Sequence, residues 1–377
     1  MTEVVIVGAA ESARLGIVPD QSAMSLAAEC ALAALAQAGL KIDDVDGIAS
    51  TLVPVDTAFA LGIRPRWLDG TMVGGCSYML HVRHAVAAIQ SGQANVVVVA
   101  HGESGRSRVG APTFTKEPSS VAGQFELPYG VLTAISRFTL PAMAYLDRYG
   151  LGEADLAEVP VVQSRWAQRN PRAFRPALLS VDDVLTSPLI AWPFHLLECC
   201  PVNDGGGALV LTSRERAADL NLQYRPVTVI GSGESCEGPG PTFMQDLTSF
   251  RAFRDASAEA LRTAGLTHAD IDHLMIYDAF AHVPLYGLED AGFVGKGEAV
   301  DFIRSGATGP GGSLPLNTNG GGLLYAHTGM YGMFAMLEAV RQLQGRAAAQ
   351  LHEVETSLVI GAGGMFSAAG AVALRAG

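Results

Sequence analysis

Cys76 ends the run Gly74-Gly75-Cys76 and precedes Ser77 and an amphipathic stretch, Tyr78 to Ser91, that reads as a helix. A thiol at a helix start feels the partial positive charge of the unpaired N–H groups, which lowers its pKa and favours the nucleophilic thiolate. The glycine pair permits a sharp turn and leaves room for a thioester carbonyl against backbone N–H groups, as an oxyanion hole requires, with Gly75 as one contributor. The competing reading is a buried structural cysteine, since free cysteine is among the most buried residue types.

A second cluster runs Asn317-Thr318-Asn319-Gly320-Gly321-Gly322, continues Leu323-Leu324-Tyr325-Ala326-His327, and leads into a helix expected over Met330 to Leu343. A glycine triplet beside a histidine costs stability, so it serves a site more readily than a core. His327 is therefore read as catalytic and Gly321, Gly322 and Tyr325 as substrate contacts, against the plainer reading of a structural histidine. The third cluster, Tyr277-Asp278-Ala279-Phe280-Ala281-His282, follows the short apolar run Leu274 to Ile276. The ends of strands are where open α/β sheets bind ligands, so Tyr277 is read as a proton donor or acceptor and Asp278 and Phe280 as substrate contacts; alternatively the tyrosine ring caps the core. The fourth, Gly361-Ala362-Gly363-Gly364, follows the strand Ser357 to Ile360. Gly363 and Gly364 are candidate backbone donors there, although alone the run is only a tight turn.

The elements that carry these residues repeat. Ala38-Gly39-Leu40 with Asp44-Val45-Asp46 recurs as Ala264-Gly265-Leu266 with Asp270-Ile271-Asp272, at a constant offset (264 − 38 = 226; 270 − 44 = 226). Each copy follows an alanine-rich amphipathic stretch (Ser25 to Gln37; Ala252 to Thr263) and precedes a short apolar run, which is helix, turn, strand, twice. Downstream, a helix pattern leads to the strands Asn95 to Ala100 and Ser357 to Ile360, and the halves close on Gly207 to Leu211 and Gly370 to Leu374. Two such halves predict two stacked α/β units, residues 1–220 carrying Cys76 and 221–377 carrying Tyr277 and His327. The first half holds extra chain, about 104–195, too long for a structureless loop. Periodic segments at Phe138 to Tyr149 and Asp155 to Ala167 make it a partly helical cap, and its Arg106, Arg108, Arg165 and Arg169 are the candidates for a nucleotide phosphate.

Composition narrows the function. With 49% hydrophobic and 16% charged residues the chain buries a large core. A net charge of −12 without lysine or arginine runs argues against nucleic acid and anionic lipid. The opening MTEVVIVGAA reads as a strand rather than a leader, and no apolar run is long enough to span a membrane, so a cytoplasmic protein is expected. Five cysteines without CxxC spacing read as free thiols, and no metal site is expected.

In this order, and on a duplicated background, the four clusters resemble the thiolase superfamily, in its lipid-transfer-protein-type, thiolase-like branch. Gly75-Cys76-Ser77 is similar to the family's nucleophile loop, Tyr277 to Phe280 to its Asn-Glu-Ala-Phe or His-Asp-Cys-Phe motif, Tyr325-Ala326-His327 to its Gly-His-Pro motif, and Gly361 to Gly364 to its last glycine turn. The resemblance implies a five-layered αβαβα fold, a homodimer, and acyl-CoA as substrate with no bound cofactor. Cys76 would carry the acyl group and His327 would help hold the thioester oxygen. The chain also departs from the pattern. The second cysteine of ordinary thiolases is absent from Ser357-Leu358-Val359-Ile360, Tyr277 replaces the motif asparagine, and Thr328 replaces the proline. Two relatives share a Tyr-Asp motif, an acyltransferase acting on a phenolic ring carbon and a steroid side-chain aldolase, and both imply a small zinc-ribbon/OB-fold partner. Retention of Cys76 and His327 favours a CoA-dependent acyltransferase of lipid metabolism, akin to acetyl-CoA acetyltransferase. The alternatives are a retro-aldolase on a β-hydroxyacyl-CoA, and a non-catalytic acyl-CoA-binding subunit.

Overall fold

The computed structural model describes residues 2–110, 119–131 and 133–377; the parts of the expected cap at 111–118 and 132 lie outside the described residues. The first half runs β1 (Val4–Glu11), α1 (Ala23–Gln37), β2 (Gly47–Ser50), β3 (Trp67–Asp69), α2 (Ser77–Gln90) and β4 (Val96–Ser104). The insertion follows with α3 (Ala134–Tyr149) and α4 (Glu153–Ala167), and β5 (Asp204–Ser213) closes the half. The second half runs β6 (Val227–Cys236), α5 (Arg251–Ala264), β7 (His273–Ile276), α6 (Gly332–Gln344), β8 (Thr356–Gly363) and β9 (Ala368–Ala376). The 226-residue offset read from the sequence holds for the elements themselves, since β7 starts 273 − 47 = 226 residues after β2.

The strands form one mixed sheet in the order β3-β2-β4-β5-β1-β6-β9-β8-β7. Parallel pairing of β2 with β4 and antiparallel pairing of β4 with β5 and β5 with β1 is mirrored by β7 with β8, β8 with β9 and β9 with β6. Among the described residues, only Val5↔Thr228 and Ile6↔Val227 join the halves along the sheet. The central strands are covered on both faces, which is why β4 opens on four consecutive buried valines rather than an alternating pattern. Helix α1 lies outside β1, β4 and β5, and α5 outside β6 and β9. Helices α2 and α6 pack between the two half-sheets, giving the five layers expected. Most of α6 is buried, including Glu338, which accepts from Thr318 Oγ1 at 2.6 Å, and so its sequence is apolar nearly all round.

Some elements differ from the sequence reading. Strand β6, like β3, is not among the strands read there, and it contains Gly231 and Gly233, a residue type that weakens strand interiors. A Cβ at either would lie 2.3 or 2.1 Å from a carbonyl oxygen of α5, so the glycines serve close helix-on-sheet packing. Helix α6 starts at Gly332 rather than Met330, because the turn at Gly329 (φ +128°) delays it; His327 therefore precedes the helix by more than a turn. At that start a Cβ on Gly332 would sit 2.0 Å from the Gly75 carbonyl oxygen, so the N-termini of α2 and α6 meet. The cap is helical as expected and adds a hairpin, Leu189–Ala191 with Phe194–His195. Its Phe138 packs on Phe280 and Phe366 at ring separations of 5.0 and 5.3 Å.

Candidate active site

Cys76 caps α2 and is fully buried. Its sulfur faces β8, where a Cβ on Gly363 would lie 2.7 Å from Sγ. Burial pushes the thiol pKa up to about 12, reinforced by Glu234 and Cys236. Desolvation of a thiolate thus works against the lowering expected from the helix start.

Tyr277 follows β7, tied by its N–H to the Ile360 carbonyl (2.9 Å). Its ring packs against Gly75, where a Cβ would be 2.1 Å from Cε2, so only glycine fits. The phenol oxygen is 2.8 Å from His327 Nε2 and 3.4 Å from the Gly329 carbonyl oxygen. His327 Nδ1 accepts from the Gly329 N–H (3.2 Å). This bond assigns the tautomer: Nε2 bears the hydrogen and donates to the phenol, whose own hydrogen points to the Gly329 carbonyl. Burial lowers the His327 pKa to about 4 and raises that of Tyr277 well above 10, so both groups are neutral hydrogen-bond donors at neutral pH.

Asp278 is fully buried and accepts from the N–H groups of Gly322 (2.6 Å) and Leu323 (3.3 Å) and from Gln163 Nε2 (2.9 Å). Burial raises its pKa to about 8. It holds the Gly321–Leu324 turn in place, and Gly321 (φ +69°) leaves no room for a Cβ beside its Oδ2. Phe280 sits under the cap between Phe138 and Phe194. Gly363 and Gly364 press on the Cys76 turn, since a Cβ on Gly74 would lie 2.4 Å from the Gly364 nitrogen.

Tyr325 is not brought together with these groups: its hydroxyl donates to Glu11 Oε1 (2.6 Å), in a cluster with Arg172 and Arg341. A Tyr325→Phe variant is accordingly expected to cost about 1 kcal/mol of stability, the net worth of one hydrogen bond, and to leave KM for thioester substrates unchanged; denaturant melts and steady-state kinetics check both. Among the basic candidates, Arg106 lies by the site, its Nη1 3.4 Å from the Val202 carbonyl oxygen. Arg169 instead lines a separate open cavity of about 490 Å³ with Trp166 and Asp272.

Sequence reasoning missed the residues that hold His327. Asn203 clamps its backbone from both sides, Oδ1 accepting from His327 N–H and Asn203 N–H donating to the His327 carbonyl, each at 3.0 Å. Behind it a buried chain runs from Thr328 Oγ1 to His101 Nε2 (2.9 Å), on to Tyr78 and then Thr51. Glu103, at the end of β4, lies against Gly329. Polar residues directly after the buried run of a central strand were the available signal for His101 and Glu103; Asn203 had none.

Residues 233–376 match the thiolase C-terminal domain-like family. Over 355 residues, 90% of this chain and 91% of the relative, the sequence is 34% identical to the 17-hydroxy-3-oxo-4-pregnene-20-carboxyl-CoA lyase of Mycobacterium tuberculosis. The chain belongs to the thiolase superfamily. Within it, the lipid-transfer, thiolase-like branch is supported by 33% identity, over 94% of this chain and 95% of the relative, to a steroid side-chain-cleaving aldolase of Thermomonospora curvata. The solved Ltp2-ChsH2(DUF35) aldolase superposes with a TM-score of 0.90 at 30% identity, covering 100% of this chain and 98% of that one. A thiolase-family enzyme is therefore established, and among the described residues no helix is long and apolar enough to cross a membrane.

Proposed function

We propose that the chain cleaves a β-hydroxyacyl-CoA by a retro-aldol reaction, the alternative rather than the favoured reading of its motifs. The Cα–Cβ bond breaks, the β-hydroxyl loses its proton and becomes a carbonyl, and the electron pair enters the thioester as an enolate that is then protonated at Cα. The observation that carries this reading is the Tyr277–His327 pair, two neutral groups bonded at 2.8 Å beside a thiol whose pKa burial raises; a substrate oxygen that displaces the Gly329 carbonyl would receive the Tyr277 hydrogen. An enolate oxygen needs fixed donors in a dry site, whereas an acyl-enzyme needs a thiolate. Likeness to two relatives named as a CoA lyase and an aldolase supports it. Their names also support a bulky steroid-like acyl group.

A small zinc-ribbon/OB-fold partner belongs to the same proposal, supported by the DUF35 protein in the name of the similar structure. So does a homodimer, for which the edge strand β3 with exposed Leu68 and the nearby Phe59 and Met72 is a suitable face. A cytoplasmic location completes it. Acyl transfer through Cys76 is the second reading, favoured by the placement of Sγ at a helix start against Gly363 and by 29% identity to an acetyl-CoA acetyltransferase of Methanothermobacter thermautotrophicus.

The test is incubation of the purified chain, alone and with such a partner, with a β-hydroxyacyl-CoA bearing a tertiary hydroxyl, beside the Cys76→Ala variant. Appearance of a shortened acyl-CoA and a ketone by mass spectrometry, retained in the variant, is the expected result. An acyl adduct on the protein that Cys76→Ala abolishes, without cleavage, would put acyl transfer in its place.

A further inference from the structure

The site as built has donors but lacks a base. Tyr277 and Cys76 stay protonated, His327 spends Nδ1 on the Gly329 N–H, and Asp278 spends both carboxylate oxygens on Gly322, Leu323 and Gln163. Glu103 differs. Its Oε2 is sealed from solvent and has no hydrogen-bond partner, a costly arrangement in a finished structure and one that calls for an explanation. The carboxyl group lies along Gly329, where a Cβ would be 2.3 Å from Oε1 and 2.7 Å from Oε2. Gly329 is exposed, and its carbonyl is the one that faces the Tyr277 hydroxyl. The glycine thus seats the carboxyl group against the turn that carries His327 and accepts the Tyr277 hydrogen.

We propose that Glu103 is the acid/base group of this site, taking the proton from the β-hydroxyl as the Cα–Cβ bond breaks and returning it to Cα of the enolate. No proton is gained or lost over the cycle, and no co-reactant is needed. The surroundings suit the task. Burial raises the Glu103 pKa to about 7, only partly offset by the Thr328 hydroxyl and the Met330 N–H, and a general base works best with a pKa near the working pH. The titratable groups around it are His101 on β4, Tyr78 on α2, Tyr277 after β7 and His327 in the turn. Burial holds His101 neutral, with a pKa of about 3, and both phenols are raised well above 10. Among the described residues no ion pair reaches Glu103. Of these four neighbours and Glu103, only Glu103 changes charge around pH 7; Asp278, raised by burial to about 8, titrates just above it but is held by Gly322, Leu323 and Gln163.

The cleavage step rests on the retro-aldol reading, but proton exchange at Cα does not, and that separates the two in the test. Propionyl-CoA is incubated in D₂O with the wild-type chain, Glu103→Gln and Glu103→Asp, and deuterium at Cα is followed by mass spectrometry. Glutamine keeps the shape and an acceptor for Thr328 and Met330, so the melting temperature of that variant is expected to stay within a few degrees. Wild type should exchange, with a rate that rises through about pH 7 as Glu103 ionises. Glu103→Gln should be slower by about 100-fold and lose that pH limb, while Glu103→Asp recovers part of the rate. Unchanged exchange and an unchanged limb in Glu103→Gln, or no exchange by wild type, would overturn the assignment. Exchange that behaves as expected without cleavage of any β-hydroxyacyl-CoA would sink the retro-aldol reading and leave Glu103 in place.

Discussion

Replacing Tyr277 by Phe is expected to lower kcat for Cα–Cβ cleavage of a β-hydroxyacyl-CoA by about 10²- to 10³-fold, the usual loss when one fixed donor to a developing oxyanion is removed. The ring carries the fold and the hydroxyl the chemistry, so the variant separates them. Phenylalanine still fills the slot over Gly75 that a single added carbon would close, 2.1 Å from Cε2, and the edge contact with Tyr331 remains. What goes is the oxygen 2.8 Å from His327 Nε2. The buried Nε2–H then lacks a partner, which costs about 1–3 kcal/mol and is readable as a lowered denaturation midpoint. Because burial raises the phenol well above 10, Tyr277 contributes no titration limb at ordinary pH. The pH at which the residual activity changes should therefore match wild type. A loss in kcat of less than about 3-fold, well short of one donor's worth, would remove Tyr277 from the chemistry and return it to the role of a core-capping ring.

The sequence reading placed Tyr277, His327 and Cys76 near one another because each follows a strand or precedes a helix that the duplication makes recognisable twice. What it could not reach are properties set by distance across the chain. The thiol of Cys76 was expected to ionise easily from its local position, but the Gly361–Gly363 strand, nearly 290 residues on, seals it (363 − 76 = 287), and desolvation works against that. Tyr325 looked like a site residue through its place in a motif. Its side chain instead points to Glu11, a partner 314 residues away whose match no local pattern records. The glycines were legible as a class but not in role: Gly231 and Gly233 seat a helix, Gly75 seats a tyrosine ring, and Gly329 makes room for a carboxylate. These differences depend on what lies opposite, and only the packed structure supplies that.

Glu11 is where the largest loss of stability is expected. Its side chain is 2% exposed at the end of β1 and joins Arg172 Nε (2.7 Å), Arg341 Nη1 (2.9 Å) and the Tyr325 hydroxyl (2.6 Å). One carboxylate thereby links strand β1, the segment of the cap just after α4, helix α6 and the loop that carries His327. Burial by itself would raise its pKa, but Arg341, Arg172 and the Tyr325 hydrogen bond more than offset it and hold it below the usual carboxylate range. A depressed pKa in the folded state means that the contribution is fully present above the ordinary carboxylate value near 4.5 and is lost as pH falls through the lower folded value. Glu11→Gln keeps the volume but leaves two guanidinium groups uncompensated, Arg341 with only 17% of its side chain exposed. Removing one partner of a buried pair costs about 3–5 kcal/mol, and the partly exposed Arg172 places the expectation near the lower end. Denaturant unfolding at pH 7 should show that loss, and the gap between variant and wild type should narrow as the pH is lowered toward 3, because wild type is then losing the same charge. If the cost arises from stranded charge rather than lost contacts, adding Arg341→Gln to Glu11→Gln should restore part of the stability. A double variant less stable than Glu11→Gln alone would show instead that Arg341 anchors α6 through its packing and its other neighbours, not through Glu11.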